Sequence, residues 1–138
     1  MKVSQTIAVS VSSILFLGMM TLSTGLALAQ QAADVRLVAK MVSGAASGKA
    51  VYRERGNHRR LVVGAEDIPG TTPSPQTVFV NSSPVGNMIL NACPAPATQL
   101  LCGDLELNTK DGEQVPVILK GQIISIGFNP AALAGTFH

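Results

Sequence analysis

Residues 48–68, GKAVYRERGNHRRLVVGAEDI, decide how this chain folds. On both sides of Gly56-Asn57, outward and inward residue types alternate with period two, and the Gly-Asn pair suits a two-residue primed turn between antiparallel strands. Such a turn predicts a register in which Arg55 faces His58, Glu54 faces Arg59, Arg53 faces Arg60, Tyr52 faces Leu61, Val51 faces Val62 and Ala50 faces Val63. Because successive Cβ atoms point to opposite faces, Ala50, Tyr52, Leu61, Val63 and Ala65 share the side assigned to the core. Arg53, Arg55, His58 and Arg60 share the other, which faces solvent or a partner.

Working outward from this hairpin, no segment sustains apolar residues at helical spacing, while period-two alternation recurs between turn signals. Strands are expected at 35–41, at 77–81 and 85–91 around Ser82-Ser83-Pro84, through Leu105 and Leu107 to a turn at Asp111-Gly112, at 122–126 and at 133–137. Asn129-Pro130 suits a single helical turn, with Asn129 as cap. Pro69 to Pro75 has little to bury and few ladder donors, so it reads as a surface crossover. The expectation is an all-β fold: a single antiparallel β-sandwich of about eight strands over residues 30–138, with one short disulfide-closed loop.

Of the 138 residues, 1–29 read as an export signal. Lys2 precedes a largely apolar run over 7–22, and Ala27-Leu28-Ala29 offers small residues for cleavage before Gln30. Serines and threonines interrupt the run and no basic stop-transfer cluster follows, so no transmembrane segment is expected after cleavage. The chain is therefore expected in the periplasm or outside the cell. In that oxidising setting the two cysteines, Cys93 and Cys102, are expected to pair, and their spacing does not suit a CxxC redox or zinc motif.

The full chain has 10 Lys and Arg against 8 Asp and Glu, and only Lys2 leaves with the leader. So small an excess predicts no nucleic-acid partner. The Gly44 to Ala50 stretch has too few residues between its glycines for a phosphate loop, and a strand pattern follows it where that motif needs a helix. His58 and His138 are the only histidines, and each lacks a neighbour that would orient it for catalysis or complete a metal site. Asp104, Glu106, Asp111 and Glu113 read as solvated acids, and aromatics, at 4%, offer no sugar-stacking platform because Tyr52, Phe79, Phe128 and Phe137 fall where a core needs them. No catalytic, metal or cofactor-binding residue is assigned. Arg53, Arg55, His58 and Arg60 remain as a candidate anion-binding face, with Asp104 and Glu106 as candidate acids to offset the opposed arginines.

The strings SGKAVYRERGNHRRLVVGAED, TVFVNSSPVGNMIL, GDLELNTKDGEQVPVI and LAGTF together resemble small exported bacterial β-sandwich proteins of unassigned function. The strand order is also distantly similar to the copper-zinc superoxide dismutase sandwich and the related CHRD domains. That resemblance implies a sandwich fold, while the histidine and aspartate ligands of the dismutase sites have no counterparts in this sequence. The leading expectation is an exported, non-enzymatic binding or structural module, with an envelope protein or anionic surface polymer as partner. Two alternatives stand beside it: a binder of anionic glycan or lipid through the arginine face, and a diverged dismutase-like metal protein. The register itself is testable. Leu61→Ala should cost about 2–5 kcal/mol and Lys49→Ala little, so equal shifts of the two denaturant midpoints would refute it.

Overall fold

The computed structural model describes residues 33–70, 72–127 and 131–138. The expected leader and the helical turn expected at Asn129-Pro130 lie outside them. Strand β2 (Ala46–Arg55) and strand β3 (His58–Pro69) pair in the register that the Gly56-Asn57 turn predicts, from Arg55 opposite His58 to Ala50 opposite Val63. Of the two turn residues Gly56 alone has a positive φ, +58°, which is the demand that a primed turn makes of glycine. Strand β1 (Val35–Ser43) joins β2 through another two-residue turn at Gly44-Ala45.

The remaining strands are β4 (Ser74–Val80), β5 (Ser83–Ala92), β6 (Leu100–Asn108), β7 (Ile123–Ile126) and β8 (Leu133–Thr136). Every pairing is antiparallel, and the order in the sheet is β1-β2-β3-β6-β5-β4-β7-β8. The two ends of that order meet. The Val38 amide donates to the His138 carbonyl at 3.3 Å, and the His138 amide donates back to Val38 at 3.1 Å. Gly135 permits this approach, because a Cβ there would lie 2.3 Å from the Lys40 carbonyl oxygen. The fold is therefore all-β with eight strands, and its sheet curls nearly into a barrel where the sequence suggested two distinct sandwich layers.

β5 makes the corner. Most of it pairs with β4, and only Asn91 and Ala92 pair with β6. Cys93 and Cys102 form a disulfide at this corner, with their Cα atoms 4.9 Å apart. It clamps the place where the two halves of the sheet share least backbone pairing. The second hairpin turns at Asn81-Ser82, both in left-handed conformation, one residue earlier than expected, so Ser83 and Pro84 belong to β5. An extra residue on β5 between the Val78 and Phe79 pairings absorbs the difference. Phe79 is half-buried on the side away from buried Val78 and Val80, where the sequence placed it in the core. The acidic turn contains a 3₁₀ segment (Thr109–Asp111), capped by the Asn108 side chain and ended by left-handed Gly112.

The core takes Ala50, Tyr52, Leu61, Val63, Leu107, Ile124 and Phe137 as the alternation predicts, with Leu105 packed against it. Two groups escape the simple pattern. Asp67, at φ +56°, sits in a bulge between Ala65 and Ile68 that restores Ile68 to the inward side. Val115 and Ile118, from a stretch outside any strand, are also buried. Ile118 is held by Tyr52, whose fully buried hydroxyl accepts from the Ile118 backbone amide and donates to the Glu54 carboxylate.

Burial, and then the Glu54 hydrogen bond, push the Tyr52 phenol up to about 12 from its ordinary value near 10. Tyr52 is the only tyrosine and tryptophan is absent, so alkaline ultraviolet titration reports this one group. The native state holds the phenolic proton more tightly than the unfolded chain. That contribution to stability is complete below the unfolded pKa and fades as pH rises through about 10 to 12. We expect ionisation near pH 12 in the folded protein and near pH 10 in denaturant. A folded-state midpoint near 10 would place the hydroxyl in water.

Candidate functional site

The outer face of β1, β2 and β3 carries the site. Alternation in β1 buries Leu37, Ala39 and Met41 and turns Arg36, Val38 and Lys40 outward. In β2 the outward set is half-buried Ser47, Lys49, half-buried Val51, Arg53 and Arg55, and in β3 it is His58, Arg60, half-buried Val62 and Gly64, and exposed Glu66, which lies opposite Ser47 beyond the lysine row. The registers of the two hairpins align these positions across the sheet. Arg36 pairs with Arg53, and Arg53 with Arg60, in one row. Val38, Val51 and Val62 form the next row, and Lys40 opposite Lys49 a third. Neighbouring strands lie about 4.8 Å apart and alternate residues along one strand about 6.7 Å. Three arginines thus stand side by side with a valine strip beside them and lysines beyond.

The sequence-assigned residues Arg53, Arg55, His58 and Arg60 come together as expected, around a hollow of about 260 Å³ at the hairpin tip that Arg59, Asn108 and Lys110 also line. The Arg59 amide donates to Thr109 Oγ1 at 3.0 Å, fixing the 3₁₀ segment that bears Lys110 against the hairpin. A second groove, of about 230 Å³, shares Arg53 and Arg60 and is completed by Arg36, Val51 and Val62. Arg36, Lys40 and Lys49 were outside the sequence-derived face. Arginine, valine and lysine alternating at 36, 38 and 40 was the available signal; what was missing was the β1–β2 register set by Gly44-Ala45.

Of the two acids expected to offset the arginines, only Glu106 does so. Arg60 Nε donates to Glu106 Oε1 at 2.7 Å, the only ion pair among the described residues. That hydrogen bond and the adjoining charge hold the Glu106 carboxyl below the usual carboxylate range and raise the Arg60 guanidinium further. Asp104 stands opposite Gly64, beyond the valine row, and forms no ion pair. Glu113 accepts from the Asn108 amide at 2.7 Å, and Asp111 lies in the 3₁₀ segment. Among the described residues no three His, Cys, Asp or Glu side chains converge as metal ligands. His58 is at the hairpin tip and His138 at the β1 closure.

No protein family matches the chain, and neither a curated protein nor a solved structure matches it. Among the described residues no helix is long and apolar enough to cross a membrane.

The Arg60–Glu106 pair makes retention on an anionic matrix depend on Glu106. Glu106→Gln should move the denaturation midpoint little, because both side chains are about half exposed, and should strengthen retention on an anionic matrix by freeing Arg60. Weaker retention of that variant would show that the face does not act through its positive charge.

Proposed function

We propose that this chain is an exported, non-enzymatic binding module that holds an anionic ligand against the outer face of β1–β3. The observation that carries the reading is the direct opposition of like charges at Arg36–Arg53, Arg53–Arg60 and Lys40–Lys49. Like charges directly across a ladder destabilise it, and one glutamate offsets only one arginine. Seven of the nine Lys and Arg side chains in residues 30–138 fall within 36–60, so the local field is positive although the net charge of that part is close to zero. Charges of this kind can also protect a sheet edge from pairing with another chain. β2 and β3 are paired on both sides, and β1 meets the chain end at His138. Export is supported by the leader-like residues 1–29 and by a disulfide suited to an oxidising compartment.

Retention on immobilised anionic polymer, with a neutral polymer as control, tests the reading. Wild type should be retained at low salt and released at moderate salt, whereas Arg53→Ala/Arg60→Ala should be retained far less. Failure of wild type to bind at low salt, or equal retention of the double variant, would overturn it.

A further inference from the structure

We propose that the groove formed by Arg36, Arg53 and Arg60 over Val51 and Val62 binds the acidic sugar units of a carboxylate-bearing polysaccharide. This rests on the anionic-ligand reading above and names the ligand class. The groove joins two chemistries within about 230 Å³. Its rim is three guanidiniums, of which Arg36 and Arg53 make no ion pair among the described residues and Arg60 is engaged through Nε. A guanidinium presents paired N–H donors whose spacing matches a carboxylate. Its floor is two half-buried valines, an apolar surface that a bare inorganic anion would leave unused and that the C–H face of a sugar ring can cover.

Size and shape narrow the ligand further. At about 230 Å³ the groove has room for one ring with its carboxylate, and the rest of a polymer can run on along the face. The row runs across the strands, about 4.8 Å from one arginine to the next, so a linear polyanion laid along it meets guanidiniums in succession. A neutral sugar would have little to hold it, since among the described residues no aromatic side chain lines the groove. A bilayer would need apolar side chains projecting beyond the cations, and the valines here are recessed between rows of longer basic side chains. Of the exposed large apolar side chains among the described residues, only Val42 belongs to these strands, beyond the lysine row, while Ile89 is on β5 and Val117, Leu119 and Ile123 lie on the stretch leading into β7 and its first residue.

The test measures binding of the purified protein to polygalacturonate, to its fully methyl-esterified neutral form and to phosphatidylglycerol vesicles, at low and moderate salt. Arg36→Ala removes one guanidinium, and Val51→Thr changes the floor from apolar to polar while keeping its size and β-branching. Unchanged denaturation midpoints establish that both variants fold. We expect wild type to bind polygalacturonate and not the ester, Arg36→Ala to lose about tenfold in affinity and Val51→Thr to lose several-fold. Binding to vesicles without binding to polygalacturonate would overturn the sugar assignment and leave the anionic-ligand reading standing. Polygalacturonate binding indifferent to both substitutions would remove the groove as the site. Absence of binding to either anionic probe at low salt would overturn both readings together.

Discussion

The two-residue turn at Gly56 is the constraint on which the rest depends. In a strand the side-chain period is two, so a slip of β3 by one residue against β2 would carry Leu61 and Val63 to the outside and Arg60 into the core. Burying even one unpaired guanidinium costs far more than the apolar side chains could return. The left-handed φ of Gly56 and the hydrophobic pattern therefore select the same register, and neither needs a distant contact to do so. Gly44-Ala45 extends that parity to β1, which is how three consecutive strands present one continuous row of arginines.

Closure then turns a local pattern into a global one. β2 and β3 have paired strands on both sides, while the far side of β1 is met by the two backbone bonds between Val38 and His138 and by β8 drawn against it at Gly135. Tyr52 links the outward face to the interior. Its ring is wholly buried beneath the arginine rows, and its hydroxyl ties Glu54 on the hairpin to Ile118 on the segment that seals the core. A single side chain thus couples the hairpin that carries the cations to a stretch of chain with no ladder of its own.

Local rules made the hairpin legible in the sequence: turn chemistry, alternation and cysteine count together yielded its register, its inner face and the Cys93–Cys102 bridge. What escaped them was non-periodic or non-local. The bulge at Asp67 reverses parity within one strand, so Ile68 is buried where strict alternation would expose it. Ser82-Ser83-Pro84 reads as a turn, yet the chain turns at Asn81-Ser82, because a proline tolerates a strand position that need not donate. Val115 and Ile118 lie in a segment that follows neither helical nor strand period, and their burial depends on what covers the open end of the sheet. Half of the candidate site shared this fate. Arg53, Arg55, His58 and Arg60 belong to one hairpin, but Arg36 joins them only through a second turn and Lys110 only through the Arg59–Thr109 bond.

The distribution of acids argues most directly about what the face does. Were the cations present for solubility alone, mixed signs across the ladder would serve as well and would add favourable cross-strand pairs. The chain has the acids to do this, with Asp104 and Glu106 both outward on β6 beside β3. Yet Glu106 engages only Arg60, at the border of the row, and Asp104 stands beyond the side-chain gap at Gly64. Arg36 and Arg53 are left facing one another across the ladder with their donors toward water. Hydrophobic burial beneath, from Leu37, Tyr52 and Leu61, holds the strands together against that repulsion. An anion held beside Arg36 and Arg53 would relieve that repulsion, and on the proposed reading a ligand would gain affinity from the relief.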